Sequence, residues 1–148
     1  MLRRRYLGLV AVVVLAACAG GRRHGLELPL VSVQGISVDE SGDRITLLVR
    51  HFGKRPTRLT GLRLEVLLLG ETLALQQVTD LPLPPQAQEV LTLPLQLPQA
   101  LRRDLLALAG DRGAELQIRG NLNFGMSPQP VRFDGRIAPV PGRPGQFR

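Results

Sequence analysis

Between Gly61 and Gly70 the chain reads Leu62-Arg63-Leu64-Glu65-Val66-Leu67-Leu68-Leu69. Leu62, Leu64, Val66 and Leu68 alternate without a break, which puts all four on one face of a β-strand. A helix would also align Leu62, Val66 and Leu69, and leucine is a good helix former. The two glycines, however, enclose only eight residues, and the period of two holds throughout, so we read a strand.

The same period recurs along the chain. Leu28, Leu30, Val31, Val33, Ile36 and Val38 suggest a strand bulged or broken at Gly35. The polar turn Asp39-Glu40-Ser41-Gly42-Asp43 follows it. Ile45, Leu47 and Val49 then alternate with Thr46, Leu48 and Arg50, and Gly53 to Thr60, carrying Lys54, Arg55, Pro56 and Arg58, reads as a basic loop. Gly70-Glu71 is placed to close a hairpin into a strand from Thr72 to Val78, which Pro82, Pro84 and Pro85 stop. Gln88 to Leu95 forms another strand, with Pro94 marking an end or an edge.

One helix is expected. Pro98 suits a first turn, Leu97, Leu101, Leu105 and Leu108 recur at helical spacing, and Gly110 offers a C-terminal cap. Glu115 to Phe124 and Val131 to Ala138 read as a last antiparallel pair around a turn at 125–130. The proline- and glycine-rich tail 139–148, with Arg143 and Arg148, is expected to be disordered. About seven short strands separated by turn signals predict a mainly β fold, an antiparallel sandwich or barrel with one short helix.

Ahead of the patterned region, Arg3, Arg4 and Arg5 precede an apolar run from Tyr6 to Ala17, the layout of a secretory signal peptide. Leu15-Ala16-Ala17-Cys18 resembles a lipobox, the bacterial motif at which the signal is cleaved and the cysteine becomes a diacylated first residue. The run is about twelve residues, against roughly 20 for a spanning helix. Ordinary cleavage after Ala17-Cys18-Ala19 also fits the small-residue rule and would discard the cysteine. The chain's only cysteine stands where the lipobox wants it, which favours acylation. Several acyl chains, at about 0.8 kcal/mol per buried methylene, make a lasting anchor. Ala19 is not the aspartate that holds Gram-negative lipoproteins at the inner membrane, so the expected address is the periplasmic leaflet of the outer membrane. The expected organisation is a signal peptide at 1–17, an acylated Cys18 with a tether to residue 27, a sandwich at 28–138 and a free basic tail at 139–148. Arg22 and Arg23 in the tether, and Lys54, Arg55 and Arg58 in the loop, are candidate contacts to lipid headgroups or a protein partner.

Of the 148 residues, 19 are basic and 12 acidic. Removing residues 1–17 takes three arginines with it and leaves a modest excess. The basic residues are scattered and aromatics to stack bases are scarce, which argues against nucleic acid. Cys18 leaves no second cysteine for a disulfide.

Chemistry is hard to find. His24 lies in the tether, and His51 follows a strand with no nucleophile motif beside it, so it reads as a surface histidine at a strand end. Zinc ligands at metal spacing are absent. Asp39, Glu40 and Asp43 lack the calcium loop's spacing and read as a solvated turn. Gly120, Gly125 and Gly135 form no phosphate cradle. These readings speak against an enzyme, a cofactor and a small-molecule substrate.

The order of pieces from Leu28 to Pro139 resembles the late-embryogenesis-abundant type 2 family, also called the water-stress and hypersensitive-response domain. The likeness lies in the strand Ile45 to Phe52, Leu59-Thr60-Gly61-Leu62, the hairpin Gly70-Glu71-Thr72-Leu73-Ala74, the helix around Leu101 to Leu108, and Leu116-Gln117-Ile118-Arg119-Gly120-Asn121-Leu122. Arg50-His51-Phe52-Gly53 stands where many members carry an asparagine-proline pair. The resemblance implies a fibronectin-III/immunoglobulin-like sandwich of seven strands and one helix, and an association with desiccation and other stress. It carries over no functional residues. Two functions are then expected: a membrane-held stress-protective or interaction module, or an accessory lipoprotein subunit of an envelope transport or assembly complex.

Overall fold

The computed structural model describes residues 28–108, 112–125 and 127–148. It is built of β1 (Leu30–Asp39), β2 (Gly42–Arg50), β3 (Thr57–Leu68), β4 (Glu71–Leu83), β5 (Gln88–Leu95), α1 (Gln99–Leu106), β6 (Ala114–Phe124), β7 (Ser127–Ile137) and β8 (Gln146–Phe147). The strands make two antiparallel four-stranded sheets, ordered β5-β2-β1-β8 and β4-β3-β6-β7. They are the two layers of a fibronectin-III/immunoglobulin-like sandwich.

The alternation read between Gly61 and Gly70 supplies the middle of the core. Leu62, Leu64, Val66 and Leu68 are all buried, with Leu116, Ile118 and Leu122 of β6 beside them. Ile45, Leu47 and Val49 of β2 face them from the other sheet, with Leu91 and Leu93 of β5. One helical turn's spacing does the rest, since Leu101 and Leu105 of α1 are buried while Leu106 is exposed. Leu97 and Leu108 pack partly against the same core. The proposed cap Gly110 lies outside the described residues.

Several local expectations need correcting. The basic loop ends at Pro56, because Thr57 already belongs to β3. A register shift between Leu59 and Gly61 interrupts the period there, so Leu59 is buried yet out of phase with Leu62. Strand β4 passes through Pro82 to Leu83, and β7 starts at Ser127 and contains Pro128 and Pro130, whereas Pro94 stands in β5 at a sheet edge as expected. All three are edge strands, where a residue without an N–H need break no ladder bond. The hairpin turn after β3 is Leu69-Gly70, since Leu68 pairs with Glu71. Both turn residues have positive φ, 49° and 80°, as a two-residue turn that matches strand twist requires.

The largest correction concerns the tail. Residues 139–148, expected to be disordered, fold back on the sandwich. Gln146 and Phe147 pair with Ser37 and Ile36 of β1, and Pro139 bridges Phe147. Val38 N–H donates to Gly145 O at 2.7 Å, and Ala138 and Arg148 exchange backbone bonds at 2.7 and 3.0 Å. Phe147, only 3% exposed, joins the core. One buried aromatic offsets what the prolines and glycines around it suggest.

Candidate functional site

The register fixes which loops share an end of the sandwich. Leu30 pairs with Arg50, and Arg50 with Gln88. Thr57 pairs with Leu83, and Phe124 with Ser127. The start of β1, the 51–56 loop, the 84–87 turn and Gly125 therefore lie at one pole. The other pole carries the Asp39–Gly42 turn, the Leu69-Gly70 turn, α1 and the base of the tail.

The first pole receives the chain from its N-terminal segment. Gln129 Nε2 donates to Pro29 O at 3.0 Å, tying the entry of β1 to β7. Leu28 and Leu30 are exposed beside this entry. Next to them stands the 51–56 loop, which is firmly built. His51, only 3% exposed, is buried rather than at the surface as its sequence context suggests. Its backbone N–H donates to Ala87 O at 2.8 Å. Its Nε2 donates to Arg55 O at 2.5 Å, and Nδ1 is buried without a partner. Gly53 packs on the ring so closely that a Cβ there would sit 2.6 Å from Cε1. The imidazole thus serves as the post around which the loop is wound.

That winding turns Phe52 outward, 60% exposed, with exposed Lys54 and Arg55 beside it. Among the described residues neither cation takes part in an ion pair. Arg58 is different: it lies on β3 and is paired with Asp80 across to β4. Of the five candidate contact residues, Lys54 and Arg55 share this pole, Arg58 is engaged nearby, and Arg22 and Arg23 lie outside the described residues, as does Cys18. Phe52 escaped the sequence reading. Its signal was the scarcity of aromatics, four Phe and one Tyr in the chain, combined with its place just past an alternating strand.

At the far pole Asp39 and Asp43 both face arginines. The Asp39 carboxylate accepts from the Ser41 hydroxyl and backbone N–H and from the Arg44 guanidinium. These contacts, the Ser41 hydroxyl foremost, hold its carboxyl below the ordinary carboxylate range. Asp43 Oδ1 is buried, makes no hydrogen bond and faces Arg102 Nε at 3.5 Å. Arg102 also donates to Asp39 O at 2.8 Å. The acidic turn is therefore occupied by arginines. Among the described residues no three His, Cys, Asp or Glu are grouped to hold a metal ion. No helix among them is long and apolar enough to cross a membrane.

No protein-family model matches the chain, and no curated protein matches it. Among solved structures, a protein from Archaeoglobus fulgidus is similar at 16% identity and a TM-score of 0.47, over 72% of this chain and 91% of that one.

Proposed function

We propose that the chain is a non-enzymatic lipoprotein of the cell envelope, held by acyl chains on Cys18 at the periplasmic face of the outer membrane. Its sandwich is then a stress-protective or interaction module of the late-embryogenesis-abundant type 2 kind. The observation that carries this reading is Leu15-Ala16-Ala17-Cys18, ending an apolar run after three arginines and followed ten residues later by Leu28, where the sandwich begins. Deleting the gene is expected to lower survival after drying or osmotic shock, and the wild-type chain to restore it. Unchanged survival would overturn the protective role.

One observation favours a second reading, an accessory subunit of an envelope transport or assembly complex. Strand β4 is a thirteen-residue edge with its only proline near its end and Val78 87% exposed, a surface suited to pairing with a partner's strand. That reading expects a stoichiometric complex after crosslinking and detergent pull-down. Recovery of the chain alone would count against it.

A further inference from the structure

We propose that the pole bearing Phe52, Lys54 and Arg55 is a second, non-covalent membrane contact, in which Phe52 enters the interface of an anionic bilayer while the two cations meet its phosphates. The inference rests on the anchoring through Cys18 proposed above, and adds to it an orientation of the sandwich. Three independent observations converge on it.

The first is reach. Residues 18–27 separate the acylated position from the sandwich, and ten residues span at most about 35 Å. They arrive at Leu28, on the pole that carries the 51–56 loop. A contact tied down in this way is intramolecular in effect, so modest affinity suffices. The far pole is the length of a strand further away, at about 3.3 Å per residue.

The second is charge. Lys54 and Arg55 are exposed and take part in none of the described ion pairs, and among the described residues the carboxylates at this pole are Asp80, held by Arg58, and the half-buried Glu89. At the far pole Arg44, Arg102, Arg103 and Arg136 each have a carboxylate partner, and the exposed Arg112 and Arg143 take part in none of the described ion pairs, so what sets Lys54 and Arg55 apart is their place beside an outward-held aromatic. Basic side chains favour an anionic lipid surface, and only within about a Debye length of it.

The third is the loop's construction. The His51 post, the Nε2–H bond to Arg55 O and the contact of Gly53 with the ring hold Phe52 outward. Leu28 and Leu30 are also exposed at this pole. An aromatic held out of the core, next to cations, is the composition of an interfacial membrane contact.

The chain has no tryptophan, so Phe52→Trp creates a single fluorescent reporter at an exposed position. The acylated full-length variant would be reconstituted on vesicles of phosphatidylglycerol and phosphatidylethanolamine, and on phosphatidylcholine alone, with or without lipids brominated near the headgroup. Leu106→Trp, on the exposed side of α1, reports the far pole. The expected result is blue-shifted, bromine-quenched emission from Phe52→Trp on the anionic vesicles, lost when Lys54→Gln and Arg55→Gln are added, and unquenched emission from Leu106→Trp. If the protein floats with the vesicles but the two reporters behave alike, the contact is disproved while anchoring stands. A blue shift that follows protein concentration without bromine quenching would assign the pole to a second copy of the chain and overturn the proposal. Failure to float would remove the anchor itself, and the oriented contact with it.

Discussion

Phe147→Ala is expected to destabilise the sandwich by about 3–5 kcal/mol, the usual cost of emptying a buried phenylalanine site. The side chain is almost fully buried and is carried by the two-residue strand that completes the β5-β2-β1-β8 sheet. Its loss also loosens what holds it, the bonds from Val38 N–H to Gly145 O and between Ala138 and Arg148. Since whole domains are stable by about 5–15 kcal/mol, this is a large share. Urea unfolding checks it: the midpoint should fall markedly, whereas a midpoint unchanged from wild type would mean that the tail does not pack.

Gly120→Ala is expected to cost a similar amount for a different reason. Gly120 sits in β6 opposite Leu64 of the central strand β3, with φ of +152°, a conformation that residues with a Cβ rarely adopt. A Cβ there would stand 2.1 Å from Arg63 O and 2.9 Å from Leu64 Cα. Both are backbone atoms in the middle of a sheet and have no room to retreat. Backbone strain and forced overpacking each cost about 1–3 kcal/mol, so a loss of about 2–5 kcal/mol is predicted. Gly125→Ala is the useful contrast: nothing lies within 4 Å of a Cβ there, so its cost is confined to the strain of a positive φ of 62°. Thermal unfolding of the two variants should therefore rank Gly120→Ala well below Gly125→Ala.

The sandwich was legible where side chains obey a local period. The run from Leu62 to Leu68, the alternation from Ile45 to Val49 and the helical leucines 101 and 105 each face the core as their spacing requires. Reading failed where the deciding interaction is distant in sequence. The bulge between Leu59 and Gly61 hid the start of β3. Pro82, Pro128 and Pro130 broke the local pattern, although each sits on an edge strand that tolerates it. The tail offers one buried aromatic among prolines and glycines, and its order comes from pairing with β1, more than a hundred residues earlier. The candidate site divides in the same way. Lys54 and Arg55 announce themselves by charge. The outward turn of Phe52 depends on a histidine buried under its own loop, which no spacing rule reveals.

The anchored account stands or falls on Cys18. Cells expressing the full chain would be fed a palmitate analogue, and the wild type compared with Cys18→Ala after purification. The account predicts label on the wild-type protein and none on the variant. Label that persists in Cys18→Ala, or that never appears on the wild type, would contradict it.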